Sequence, residues 1–125
     1  MITNRLLYAK KYLDDAMELF REERYNSAVS RLYYASYQAM WAAVGNPPDG
    51  YWKPLAIIRQ FFQTCGSDSD TPESQEKKQR AVRKLYSHRM RSDYEAEEIE
   101  KKDVEPLLDI IEELIDIIDI TDRKG

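Results

Sequence analysis

Apolar residues recur at three- and four-residue spacing along most of the chain, which is the pattern of amphipathic helices. Over residues 3–23 they form one stripe, whereas over residues 26–44 two stripes lie side by side. The second helix therefore has an apolar surface too wide for the outside of a fold, and we expect it at the centre. Shorter patterns predict a third helix over 53–64 and a fourth from Pro72 to about Ser92.

Residues that favour helix ends mark where these helices begin and stop. Asn26 or Ser27 is expected to cap the second helix, and Gly45 is expected to end it. Thr71 is expected to cap the fourth helix. Asp103 is expected to cap a fifth helix, which is the most apolar segment of the chain but keeps one acidic face in water.

Two polar stretches separate the later helices. Residues 66–70 are predicted to be a loop, and residues 93–102 are predicted to be irregular or frayed. Short loops favour antiparallel neighbours. The prediction is therefore an all-α fold, an up-and-down four-helix bundle with an additional short helix, forming one domain over residues 1–125.

Composition supports a folded helical protein and removes several classes of function. Hydrophobic residues make up 42% of the chain and charged residues 34%, a balance that suits neither disorder nor a membrane protein. The longest purely apolar run, Ala39–Val44, is far short of the ~20 residues of a membrane span, and the N-terminus has no signal-peptide pattern. Cys65 and His88 are the sole residues of their types, so no metal and no cofactor are predicted. We expect a cytoplasmic protein with no membrane contact.

Charge is unevenly distributed along the chain, although the net charge is only −4. Residues 77–91 carry seven basic side chains and no acidic one, whereas residues 92–125 have a net charge of −9. The basic segment is of the kind that attracts phosphates, and a solvated helix face is the alternative interpretation. Because the whole chain is acidic, any contact with a polyanion is expected to be local.

Two segments carry a resemblance to a known family. The second helix reads RLYYASYQA over Arg31–Ala39, and the fourth helix ends with RMRSDY over Arg89–Tyr94. Together, and in this order, they resemble HEPN domains (higher eukaryotes and prokaryotes nucleotide-binding). The branch that they resemble most is that of small stand-alone proteins with a YYA second helix and an R-x-x-x-D-Y segment. The resemblance covers nearly the whole chain.

The resemblance implies a helical bundle that forms a homodimer and engages RNA or nucleotide phosphates. Many HEPN proteins are metal-independent endoribonucleases, often toxins encoded beside a minimal nucleotidyltransferase antitoxin. Others are non-catalytic. This chain is accordingly expected to be the ribonuclease toxin of a toxin–antitoxin pair or, as the alternative, a nucleotide-binding or scaffold module that partners a nucleotidyltransferase.

The family's catalytic pattern is an arginine followed, after four to six residues, by a histidine, and it can be placed on this chain in two ways. In the first alignment Arg83 and His88 match it literally. In the second, the surrounding residues put Arg89 at the arginine and Tyr94 where a histidine is expected. Five residues of helix turn about 500°, so Arg83 and His88 point about 140° apart and would have to pair across the two protomers of a dimer. Arg89 and Asp93, four residues apart, share a face and can form an ion pair.

Candidate roles follow from the resemblance and from the chemistry of RNA cleavage without a metal, which needs a base for the 2′-hydroxyl and a cation for the charged phosphorane. Histidine suits the first role and arginine the second. The alternatives are an ordinary exposed histidine for His88 and, for Arg31, a side chain that covers the bundle edge with its stem. The catalytic candidates are Arg89, His88 and Arg83. The substrate-binding candidates are Arg31, Tyr34, Asp93 and Tyr94.

Overall fold

A computed structural model describes residues 4–65 and 70–124, except for the side chains of 123 and 124. Within those ranges the chain forms helices and no strand, which confirms the all-α prediction. Residues 66–69 of the predicted polar loop lie outside the described residues. The five helices are α1 (Asn4–Arg21), α2 (Tyr25–Val44), α3 (Pro54–Thr64), α4 (Pro72–Tyr94) and α5 (Lys101–Lys124).

Helix α2 occupies the centre of the bundle, as its two apolar stripes predict. It packs against each of the other four helices. Ala28, Ala35 and Ala39 are completely buried along it, and Leu32 and Met40 are enclosed beside them. The distance between packed helices depends on the side chains at the contact, so the small alanines let neighbouring helices approach closely. The polar face that α2 retains is therefore narrow.

Of the predicted caps of α2 and α4, two agree with the structure and one does not. Gly45 ends α2 with a positive φ of 85°, and Thr71 Oγ1 accepts a hydrogen bond of 3.2 Å from Ser74 N, so both of these predictions are confirmed. The prediction that Asn26 or Ser27 caps α2 was wrong, because α2 begins at Tyr25 and no side chain caps it.

Asn26 instead ties α2 to the connection between α4 and α5. Its amide nitrogen donates to Ser92 Oγ at 2.7 Å and to the Glu97 carbonyl oxygen at 2.9 Å. Its amide oxygen accepts from Ile99 N at 3.0 Å. These three hydrogen bonds to distant residues occupy the side-chain amide groups that would otherwise have been free to cap the helix. They hold the end of α4 against the start of α2.

The irregular stretch between α4 and α5 is shorter than the predicted 93–102. Helix α4 continues to Tyr94, and the i,i+4 contact between Arg89 and Asp93 supports its last turn. Helix α5 begins at Lys101, so Asp103 lies in its first turn rather than at the cap, and its Oδ2 accepts a hydrogen bond of 3.0 Å from Glu100 N. Across the described ranges, none of the helices has an apolar stretch long enough to cross a membrane.

Candidate functional site

A polar cleft with a volume of about 580 Å³ lies where the end of α1, the first turns of α2 and the last turn of α4 meet. Three of the predicted substrate-binding residues line it: Arg31, Tyr34 and Asp93. The other lining residues are Leu19, Arg24, Asn26, Ser27, Ser30 and Ser92. The site therefore combines arginine side chains with hydroxyl and amide groups, all of which can bind an oxyanion.

Arg89 lies beside the cleft and holds two of its lining residues. Its Nη2 donates a hydrogen bond of 2.9 Å to the Tyr34 hydroxyl, and its Nε lies 3.4 Å from Asp93 Oδ2. The guanidinium carbon is 4.9 Å from the ring centre of Tyr33 and 5.1 Å from that of Tyr34, within cation–π range. The side chain is only 17% exposed. Arg89 is thus fixed by contacts with two tyrosines and a carboxylate, and Asp93 offsets its charge.

Arg31 is the cleft arginine whose charge no described acidic side chain offsets. It is exposed, and its guanidinium carbon is 5.7 Å from the ring centre of Tyr12. In residues 4–65 and 70–122 it forms no ion pair, whereas Arg24 lies 3.5 Å from Glu22 and Arg89 is paired with Asp93. The ion-pair partner of Asp93 is therefore Arg89 and not Arg31. The available positive charge in the cleft comes chiefly from Arg31.

His88 is buried, contrary to the alternative interpretation of an exposed surface histidine. Ala81, Leu85 and His88 follow one another at four- and three-residue spacing, so His88 lies on the inner face of α4 and is only 3% exposed. Its Nδ1 contacts Arg91 Nη2, and its Nε2 is enclosed with no hydrogen-bond partner among the described residues. Burial lowers the pKa of His88, and the neighbouring Arg91 guanidinium lowers it further, so the ring is neutral near pH 7.

Two other candidates, Arg83 and Tyr94, do not line the cleft. Arg83 is exposed on α4, while His88 faces inward, in line with the angle of about 140° expected between them. Tyr94 is 71% exposed at the end of α4 and is not among the residues that line the cleft. The structure thus brings together Arg31, Tyr34, Asp93 and Arg89. The catalytic roles of Arg89, His88 and Arg83 stay predictions.

Tyr33 is part of the core rather than of the cleft. It is buried, and its ring packs against those of Tyr34, Tyr37 and Tyr86. Burial raises the pKa of the Tyr33 phenol well above its ordinary value, although the nearby Arg89 charge acts in the opposite direction. The YYA segment accordingly supplies one buried tyrosine and one that faces the cleft, which is what adjacent positions on a helix should do.

Sequence reasoning missed the hydroxyl and amide groups of the cleft. Ser27, Ser30, Arg31 and Tyr34 follow one another at helical spacing on α2, a polar stripe that could have been recognised opposite the apolar ones. Ser92 could not have been placed beside them, because its position depends on the tertiary contact with Asn26. Among the described residues, no three His, Cys, Asp or Glu side chains converge in a way that could hold a metal ion.

Comparison with known proteins identifies the family. The model of the HEPN domain family matches residues 3–121, which is nearly the full length of the chain. No curated protein matches the sequence. The match includes both motifs that resemble the family, the YYA segment in α2 and the R-x-x-x-D-Y segment at the end of α4. The chain therefore belongs to the HEPN domain family.

Proposed function

We propose that the cleft binds a phosphate group of RNA or of a nucleotide, with Arg31 as the main contact. The observation that carries this proposal is the position of Arg31 in a polar cleft, where no described carboxylate pairs with it. Guanidinium groups bind phosphate oxygens through two parallel N–H donors. Ser27, Ser30 and Tyr34 lie beside Arg31 in the cleft, and their hydroxyls add donors at the same place.

In this proposal Arg89 positions the cleft rather than supplying most of its charge. Its hydrogen bond to Tyr34 and its contact with Asp93 link α2 to the end of α4. Nearer the start of α4, exposed basic side chains offer additional contacts to a longer polyanion. These contacts would add salt-dependent affinity without base specificity. The side chains are those of Lys77, Arg80, Arg83 and Lys84. An RNA strand long enough to reach these cations would use both surfaces, whereas a mononucleotide would use only the cleft.

We take binding rather than cleavage as the proposed function because of His88. A general base must come within hydrogen-bond reach of the proton that it removes. With 3% of its surface exposed and its Nδ1 facing Arg91, His88 does not meet that condition in the protomer. This supports the alternative of a non-catalytic nucleotide-binding or scaffold module. The rival function, that of a ribonuclease toxin, is tested by the cleavage assay described below.

We further propose a homodimer that acts in the cytoplasm. Adjacent apolar residues of α1, Leu7 and Tyr8, are 52% and 54% exposed, and a second copy would cover them. The resemblance to HEPN domains favours the same assembly. A minimal nucleotidyltransferase is the alternative occupant of this face. Sedimentation of the purified chain distinguishes the two, because a homodimer forms with the chain alone and depends on its concentration.

The binding experiment compares Arg31→Gln with Arg59→Gln in EDTA. Arg59 is exposed on α3, outside the cleft, so its substitution removes the same charge at a distance from the proposed contact. Fluorescence anisotropy with labelled single-stranded RNA, and calorimetry with ATP, measure the two ligand classes separately. We expect Arg31→Gln to weaken binding. For RNA, the negative slope of log K against log salt should become shallower by about 1. Equal effects of the two substitutions, or no binding by the wild type, would contradict the proposal.

The same RNA, followed on a gel, tests cleavage. If the wild-type protein cuts RNA in EDTA, and both His88→Ala and Arg89→Ala abolish the cutting while circular dichroism shows that both variants fold, the chain is a metal-independent endoribonuclease. Binding without cleavage supports the non-catalytic module. ATP binding without RNA binding restricts the ligand to nucleotides.

A further inference from the structure

A second cavity, with a volume of about 370 Å³, lies away from the polar cleft and shares no residue with it. Leu6 of α1 lines this cavity and Leu19 of α1 lines the cleft, so the two are separated by about 20 Å along that helix. The walls come from the ends of α2 and α5, from α3 and from the start of α4. Most of the lining is apolar, with Phe61, Phe62 and Leu114 among the larger side chains.

One end of this cavity is polar and holds a buried ion pair. Lys78 is only 3% exposed, and its Nζ lies 2.7 Å from Asp70 Oδ2 and 2.6 Å from Ser74 Oγ. Glu113 Oε2 is a further 3.8 Å contact of the same ammonium group. Burial alone would raise the pKa of Asp70, but the hydrogen bonds from Lys78 and Ser74 lower it below its ordinary value. Lys78 is therefore neutralised by protein groups.

Asp122 adds a second carboxylate to the cavity lining, and this one has no such partner. Its Oδ2 is enclosed and forms no hydrogen bond to any described residue. An enclosed carboxylate oxygen without a donor costs free energy, whereas a hydrogen bond from a charged donor is among the stronger ones that proteins form. With Lys78 already paired to Asp70, the unsatisfied group among the described lining residues is an anionic acceptor.

We propose that this cavity binds a small molecule with an apolar body and a cationic amine, the amine lying against Asp122. Among the described residues that line the cavity, the carboxylates of Asp70 and Asp122 outnumber the single lysine, so the charge favours a cation. An anionic head would meet Asp122 with no available cation among the described lining residues. A cavity of about 150 Å³ holds benzene, so one of 370 Å³ accommodates roughly 15 non-hydrogen atoms. This site is independent of the phosphate-binding cleft.

Three probes with the same carbon skeleton and different heads test the proposal on the full-length protein: phenylbutylamine, phenylbutanol and phenylbutyrate. Each is titrated into nitrogen-15-labelled protein and followed by amide chemical shifts. We expect the amine to bind at least about tenfold more tightly than the other two, since a hydrogen bond to a charged group contributes that much. The shifts should cluster in α3 and at the end of α5, and not in the first turns of α2.

Substitutions locate the amine. Asp122→Asn should weaken phenylbutylamine binding about tenfold or more and leave phenylbutanol binding unchanged. Asp116→Asn is the matched control, because Asp116 is exposed on the same helix and outside the cavity. Ala43→Trp should fill the cavity and abolish binding of all three probes. If Ala43→Trp does not fold, the comparison of Asp122→Asn with Asp116→Asn still decides.

Several results would overturn the inference. They are no binding of the amine up to about 1 mM, equal affinity for the three heads, and an equal loss of amine binding in Asp116→Asn. A water molecule that satisfies Asp122 by itself would give the first of these. The outcome is separable from that of the phosphate proposal, because Arg31→Gln should leave amine binding intact and Asp122→Asn should leave RNA binding intact.

Discussion

The burial of His88 predicts that acid destabilises this protein in a specific pH range. Burial, and then the Arg91 charge, lowers the pKa of the ring below its ordinary value of 6.5, while Lys84 also lowers it and Asp103 and Glu97 raise it. The unfolded chain therefore binds a proton on this side chain at a higher pH than the folded protein does. The resulting stability is complete above the unfolded pKa and is lost as pH falls through 6.5 toward the folded pKa.

The size of this effect follows from proton linkage. If the folded ring stays neutral, the loss in free energy of unfolding between about pH 7.5 and about pH 5.5 approaches about 1.4 kcal/mol, with most of it below pH 6.5. Carboxylates contribute little in this range because their pKa values lie near 4. His88 is the sole histidine of the chain, so no other side chain of its type adds to the signal.

The assay is urea unfolding followed by circular dichroism at several pH values in this range, on the wild type and on His88→Gln. The wild-type protein should lose up to about 1.4 kcal/mol on acidification, and His88→Gln should lose much less, whatever its stability at neutral pH. Parallel curves for the two proteins would refute the reasoning, because they would show that His88 titrates alike in the folded and unfolded states. A wild type that became more stable in acid would refute it as well.

Three further predictions follow from the two cavities. Tyr34→Phe removes the hydrogen bond from Arg89 at an exposed site and should lower the free energy of unfolding by less than about 1 kcal/mol in thermal melts, with a smaller loss of RNA affinity than Arg31→Gln. Lys78→Met leaves Asp70 without its cation and should cost about 3 kcal/mol or more in urea unfolding, whereas Lys77→Met on the exposed face should cost less than about 0.5 kcal/mol. RNA binding should weaken steeply with added salt in anisotropy titrations, and ATP binding should weaken less, because fewer phosphates are contacted.

The helices could be predicted from the sequence because burial follows the helical period. The paired apolar stripes of α2 predict its central position, and the same period places His88 on the inner face of α4, in register with Leu85. The interpretation of His88 as an exposed histidine gave too much weight to the basic residues near it in the sequence. On a helix, adjacent positions point about 100° apart, so charged neighbours say little about the side chain between them.

The cleft was only partly predictable, because its parts come from distant segments. Arg89 and Asp93 could be paired from their spacing on one helix, and the structure confirms that contact. The meeting of Arg31 with Asp93 at one cleft depends on the bonds of Asn26 to the end of α4, which join residues more than sixty positions apart. Local patterns do not specify such contacts, and the failed prediction of Asn26 as a cap has the same cause.

The geometry also bears on which of the two alignments of the family's arginine describes this chain. The cleft lies at the end of α4, where Asp93 is a lining residue and Arg89 contacts Tyr34 beside it. Arg83 is exposed about two turns before Arg89 on α4. His88, which pairs with Arg83 in the first alignment, faces the core. A second copy that docked without moving α4 would cover more of His88 rather than expose it, so such a dimer would not bring the ring to a substrate. A polar cleft with a fixed arginine, from which His88 is turned away, is suited to holding a phosphate, so the second alignment is the one that agrees with the proposed binding function.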